Sequence, residues 1–224
     1  MVAASPVPRP FPDPLDVLIR STAPAASGSV ASAAPVRAPG TRSRAGNAMH
    51  RTRAALLDGA RRSVATSGTK ITMSQVAASG GVAKATLYNH LRTREAVLTA
   101  LLEDEVATVC HVLASRPLAD ALAALARSLS DHPVLRGLAR VEPAALARLG
   151  RVDPSVAQWR AARAAVDAAL GRAGHSGTDT VLRWLASFVI SPAEDAVIAD
   201  DLAVLLTGLP QVPAAASDAG TRTA

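Results

Sequence analysis

The chain has 224 residues, a formal net charge of +6, 49% apolar residues and 19% charged ones, enough for one core of ordinary size or for a small module joined to a larger one. Pro, Arg, Asp or Gly cuts every apolar run short of the ~20 residues of a membrane-spanning helix, and the single cysteine, Cys110, excludes an internal disulfide and a cysteine-built zinc site. Two Trp, two Phe and one Tyr in the whole chain argue against aromatic platforms for single-stranded nucleic acid; a reducing, cytoplasmic location is expected.

Residues 1–48 concentrate Pro, Ala, Ser and Gly, from Pro6 to Pro39, and are expected to be a disordered extension. Leu15 to Ile19 is too short and broken for the apolar region of a signal peptide. Met49 stands immediately before the first helical pattern, so a start of translation there is an alternative to a real arm; in a real arm, Arg37, Arg42 and Arg44 are placed to lie along a polyanion. From His50 onward Leu56, Ala60 and Val64 recur at helical spacing, with Arg53, Arg61 and Arg62 largely off that face. This helix is expected to end near Ser67-Gly68.

Thr72-Met73-Ser74-Gln75 has the spacing of a capping box, in which the Thr hydroxyl bonds the amide three residues on and Gln reaches back; it predicts a short helix over 73–79. Ser79-Gly80-Gly81 stops that helix, since glycine takes the left-handed conformation a tight helix-to-helix turn demands. A second short helix is predicted from Ala83 to Leu91, with Val82, Leu87 and Leu91 facing Val76 and Ala77. Thr93 is the expected N-cap of a long helix through about Leu113. Beyond it the chain reads as helix throughout, punctuated at Pro117, Pro133, Pro143, Asp153-Pro154, Gly171 to Gly177 and Ser191-Pro192. Ser191-Pro192-Ala193-Glu194 predicts another capping box, with Pro at the first helical position, opening a last helix to about Gly208. The tail over 210–224 is expected to fray.

Charge is distributed unevenly. Residues 51–94 hold eight basic side chains and one acid, for +7; residues 1–48 carry +3 and residues 95–224 carry −4. A positive small module on a mildly acidic body is the electrostatic footprint of a DNA reader; the competing reading is a solvated basic face on a helix bundle. The two short helices joined by Ser79-Gly80-Gly81 have the size and polarity of a helix-turn-helix, in which the second helix enters the major groove. The outward face of that helix displays Lys84, Ala85, Thr86, Tyr88, Asn89 and His90.

Arg53 to Glu103 resembles the DNA-binding domain of TetR-family transcriptional regulators. The resemblance is sharpest from Thr72 to Leu91, through Gly81-Val82, Lys84, Thr86-Leu87-Tyr88 and His90, followed by Arg92-Thr93-Arg94-Glu95. Val64, Ala83 and Leu91 depart from the family pattern; Ala83 lacks the hydroxyl that usually stands there to cap the recognition helix or reach phosphate. The resemblance implies an all-α fold: an N-terminal three-helix helix-turn-helix domain over 49–95, with its motif at 72–91, then a larger helical ligand-binding and dimerisation domain over 96–209. It further implies that Thr72 and Ser74 meet the phosphate backbone, that Lys84, Thr86, Tyr88 and His90 hold the recognition helix on the DNA, that Lys84 and Asn89 reach base edges while the Ala85 methyl is open to thymine, and that Arg94 clamps an adjacent phosphate.

For the body, the resemblance implies a homodimer and an enclosed pocket for a small-molecule effector of unidentified chemistry. Val181, Trp184, Leu185, Phe188 and Val189, with Val197, Ile198, Leu202, Leu205 and Leu206, form apolar stripes that read as too broad for one internal seam, which independently suggests a dimer through 178–208; the alternative is that they close the monomer's own core. Trp159, Trp184 and Phe188 are the large aromatics available to line a cavity, and ordinary core positions are their simpler reading. Cys110, His111 and His132 lack ligand spacing, so neither metal nor cofactor is expected. The expected function is a sequence-specific double-stranded DNA-binding regulator, a ligand-released homodimeric repressor with operator DNA and an effector as partners. The alternatives are a constitutive DNA binder without effector and a helical enzyme. For an enzyme the sequence offers no nucleophile elbow, phosphate-binding glycine loop or His-Glu pair at metal spacing.

Overall fold

A computed structural model of the chain describes residues 40–151 and 157–212, with side chains from Met49 onward. The described residues form ten helices and no named strand: α1 Gly40–Ser67, α2 Met73–Gly80, α3 Lys84–His90, α4 Arg94–Ser115, α5 Leu118–Asp131, α6 Pro133–Val141, α7 Pro143–Leu149, α8 Ala157–Arg172, α9 Thr178–Ile190 and α10 Asp195–Gly208. None of them is long and apolar enough to cross a membrane. The chain divides into two compact units after Leu102, within α4 and seven residues beyond the domain boundary expected at 95.

In the first unit α1 buries Leu56, Leu57, Ala60 and Val64, α2 buries Val76 and Ala77, and α3 buries Leu87, joined by Leu91 and by Val97, Leu98 and Leu101 of α4. α1 starts at Gly40, ten residues ahead of the expected start at His50, so the last nine residues of the expected disordered arm are helical. No proline follows Pro39 until well beyond α1, and the Ala- and Arg-rich stretch after it suits a helix. Residues 1–39 of the arm lie outside the described part. Of the arginines expected to lie along a polyanion, Arg37 is among them, and Arg42 and Arg44 fall on the first turns of α1, where side chains are outside the described part. α1 ends as the glycine signal predicts: Gly68 has φ +69° and its N–H bonds the Val64 carbonyl at 2.9 Å.

The second unit is built around Leu113, Ala121, Leu122, Leu125, Val166, Leu170, Val181, Leu185 and Leu202, with Trp159, Trp184, Leu205 and Leu206 packed against it. Trp184 and Phe188 meet edge to face with ring centroids 4.9 Å apart, so these aromatics serve the core. Pro133 and Pro143 open α6 and α7 at their first turns because proline there forfeits only an amide without a helical partner. Two arginines close helices from across the fold: Arg136 donates to the Phe188 and Val189 carbonyls at 3.2 and 3.1 Å, and Arg172 to the Leu113 carbonyl at 2.6 Å. Both place a cation at the negative end of a helix.

Two expectations need correction. The capping box at Ser191 is not formed: α10 begins at Asp195 after Glu194, with no side-chain cap. The Ser191 amide instead closes α9 on the Ser187 carbonyl at 2.8 Å, and the Ala193 amide donates to the Ser130 hydroxyl at 3.2 Å. The tail is also held further than expected. Buried Leu209 is followed by an isolated bridge between His175 and Gln211, in which the Ser176 amide bonds the Pro210 carbonyl at 2.8 Å and the Val212 amide bonds the Gly174 carbonyl at 2.9 Å. Asp153-Pro154 and residues 213–224 lie outside the described part.

Candidate nucleic-acid interface

The geometry of the basic module starts from α1 against α2. A carbon added at Gly59 would stand 2.6 Å from both the Gly80 nitrogen and the Val76 carbonyl oxygen, and one added at Gly80 would stand 2.8 Å from the Ala55 carbonyl. The helices touch backbone to backbone at this glycine pair. Around it Ser63 donates to the Gly59 carbonyl at 2.8 Å, and its hydroxyl lies 3.2 Å from that of Ser79. Arg62 reaches across to the Ser79 carbonyl in the last turn of α2. Part of the charge of residues 51–94 is thereby engaged inside the module: Arg62 on this cap and Arg61 on Asp58, 2.8 Å away.

The capping box of α2 forms as the spacing predicts: Gln75 N–H donates to the Thr72 hydroxyl at 3.2 Å, and the Thr72 amide donates to Gln75 Oε1 at 2.7 Å. Thr72 and Ser74 are exposed at this helix start. α2 runs one residue beyond expectation, to Gly80, and Gly81 at φ +65° makes the turn, with the Val82 amide on the Ala77 carbonyl at 3.0 Å. This 6→1 bond is the Schellman closure a left-handed residue permits. α3 then begins at Lys84, with Ala83 as an N-cap that provides no side-chain bond, the consequence of the missing hydroxyl.

α3 buries Leu87 completely and turns the opposite face to solvent. Lys84, Ala85, Tyr88, Asn89 and His90 are exposed, Thr86 is half-buried, and Tyr88 keeps 42% of its surface. An exposed tyrosine beside a fully buried leucine fixes which face of the helix is available. Arg94 is different. Its Nε and Nη2 donate to one carboxylate oxygen of Glu95 at 3.1 and 2.9 Å, and it is half-buried. Bonding from its own backbone amide, chiefly, and from Arg94 and Thr93 holds the Glu95 carboxyl below its ordinary value, against the opposing effect of burial. Arg53, Lys70, Lys84 and Arg92 are exposed with no ion pair or hydrogen bond among the described residues. Lys70 and Arg92 are absent from the residue-level expectations because they flank the helices; the sequence signals for them are the local charge and, for Arg92, its place in the Arg92-Thr93-Arg94-Glu95 run.

Elsewhere the residues weighed as metal ligands do not converge. Cys110 faces the Ala161 carbonyl at 3.9 Å, and burial pushes its thiol up. His132 pairs with Glu105 at 3.3 Å. Among the described residues no group of three His, Cys, Asp or Glu stands close enough to hold a metal ion.

No protein-family model matches the sequence, and no curated protein does. Solved structures do match. Salmonella enterica GusR aligns over 70% of this chain and 94% of its own, at 18% identity and a TM-score of 0.50. The TetR transcriptional regulator SCO0520 from Streptomyces coelicolor aligns over 71% and 98%, at 26% identity and a TM-score of 0.47. The TetR-family repressor AlkX of a Dietzia strain aligns over 69% and 93%, at 19% identity and a TM-score of 0.48. What these likenesses share with the chain is its fold.

Proposed function

We propose that this chain, whose fold is like that of GusR, is a TetR-family, sequence-specific double-stranded DNA-binding transcriptional regulator that acts as a ligand-released homodimeric repressor. The observation that carries the reading is α3: a short helix behind a glycine turn that buries Leu87 and turns Lys84, Ala85, Tyr88, Asn89 and His90 outward from a module of charge +7. A major groove admits one helix, and the groups on this face are suited to it: Lys84 and Asn89 to base edges, the Ala85 methyl to thymine, Thr86, Tyr88 and His90 to phosphate. Thr72 and Ser74 would meet the backbone at the amino end of α2, where helix amides favour an anion. A dimer would set two such helices about 34 Å apart, in successive grooves. An effector bound in the second unit would release the DNA by favouring a dimer with a different spacing, and operator would then weaken effector binding by the same factor.

The test is fluorescence anisotropy of the full 224-residue chain on duplexes tiled across the DNA beside its own gene, over a salt series and with Lys84→Ala. One palindromic fragment should bind far more tightly than the others, with a slope of about −0.9 in log K against log salt per phosphate neutralised, and the variant should lose that preference. Equal affinity for every fragment, unchanged in Lys84→Ala, would exclude sequence reading by α3.

A further inference from the structure

We infer that the cation gripping a DNA phosphate beyond the carboxyl end of α3 is Arg92 and not Arg94; the inference rests on the DNA-binding reading above. Arg94 opens α4, where a helix amino terminus and a guanidinium together make an inviting phosphate site. In this chain the site is already filled by the chain's own anion. Both Arg94 nitrogens that face Glu95 are given to its Oε1, and the Ala96 amide is satisfied by the Thr93 hydroxyl at 3.1 Å. The Glu95 carboxylate thereby takes two of the guanidinium donors that a phosphate at this helix start would use. A phosphate arriving there would have to displace it and leave a second negative charge beside itself, and the neutral Arg94–Glu95 pair releases no counterion on binding.

Arg92 has the complementary properties. The residues on either side of it are fixed: Leu91 is buried and its amide closes α3 on the Leu87 carbonyl at 2.7 Å, while Thr93 caps α4. The Arg92 side chain between them is exposed and has no acid or carbonyl partner among the described residues. Its charge is held at a defined place by a rigid backbone and stays available. Lys84 stands in the same condition at the other end of α3. Two unpaired cations therefore bracket the outward face of the helix, Lys84 at its first residue and Arg92 two residues past its last, an arrangement that fixes a helix along its groove from both ends.

The slope of log K against log salt counts the phosphates a protein neutralises, so it separates the two arginines. The full chain and three variants, Arg92→Ala, Arg92→Lys and the charge-neutral double Arg94→Ala with Glu95→Ala, would be titrated onto one duplex of about 30 base pairs and arbitrary sequence, long enough to span two successive major grooves, across a salt series, with thermal melts to show that each is folded. Arg92→Ala is expected to make the slope shallower by about 0.9 for each chain bound, Arg92→Lys to restore it, and the double variant to keep the wild-type slope. A wild-type slope in Arg92→Ala, or a slope made shallower by removing the Arg94–Glu95 pair, overturns the inference and leaves the DNA-binding reading standing. Absence of any salt-dependent binding by the wild-type chain, on this duplex and on the tiled fragments, removes that reading itself.

Discussion

Gly59 sits in the middle of a long helix, where alanine is intrinsically better by about 1 kcal/mol. Packing against α2 opposes that gain and outweighs it. The added methyl would stand 2.6 Å from the Val76 carbonyl oxygen and from the Gly80 nitrogen, and both are backbone atoms of α2 that cannot rotate away as a side-chain end can. The helices must separate, and with them the cap that Arg62 places on Ser79. Gly59→Ala should therefore cost about 1–3 kcal/mol net, in the range of overpacked cores, read as a lower denaturation midpoint with an unchanged slope in denaturant. A midpoint at or above wild type would mean that α1 and α2 are less closely docked than the glycine pair requires. The sequence carries only a faint signal of this contact: a glycine inside a run of helix formers. Residues Lys84 to His90 are readable because a single buried leucine at helical spacing fixes which side chains face out. The Arg94–Glu95 pair is visible as adjacent letters, but whether neighbours in a first turn face each other or diverge is settled by rotamers and not by order.

The helices themselves are legible wherever one residue supplies both the stop and its reason. Gly68 and Gly81 adopt positive φ, Pro133 and Pro143 open helices, and Thr72 with Gln75 closes its box within four residues. The failure at Ser191 has the same logic in reverse. Ser-Pro-Ala-Glu is a local pattern, but the Ala193 amide within it is taken by Ser130, 63 residues earlier in the chain, and nothing local reveals that partner. The difference is measurable by three alanine substitutions followed in thermal or urea unfolding. Thr72→Ala should cost about 1 kcal/mol as a lost N-cap. Ser191→Ala should stay within about 0.5 kcal/mol, as an exposed position with no cap to lose. Ser130→Ala should cost about 1 kcal/mol or more, since Ser130 is only 3% exposed and its loss strands the Ala193 amide. A Ser191→Ala penalty equal to that of Thr72→Ala would restore the local box and contradict the long-range cap.

For the molecule as a whole, the apolar stripes of α9 and α10 read in the sequence as too broad for one seam, and most of that breadth is used within the unit itself. Val181, Leu185, Phe188, Val189, Ile198 and Leu202 are all buried within the second unit. Period and hydrophobicity do not separate a monomer seam from a dimer face, because both demand the same residues. What remains exposed is smaller and more specific: Val197 at 50% and Val204 at 75% of their surface, seven residues apart on α10, with Ile190 at 50% at the end of α9. Two turns of helix carry Val197 and Val204 back to the same side, and a self-complementary patch is what an isologous dimer needs. Val204 therefore decides the matter with little risk to the monomer, since its side chain contributes almost nothing to the unit's own core. Val204→Glu adds a carboxylate to a helix that already carries Asp195, Asp200 and Asp201, so two copies brought together there would repel each other. Sedimentation equilibrium should show the wild-type chain as a dimer and Val204→Glu as a monomer with the same melting behaviour at low protein concentration. The monomer should still bind duplex DNA with a salt-dependent slope but lose the preference for a palindrome, because one recognition helix reads only one half-site. A variant that stays dimeric would move the interface away from the exposed valines of α10, and a wild-type chain that is monomeric at all concentrations would remove the two-groove geometry on which ligand release depends.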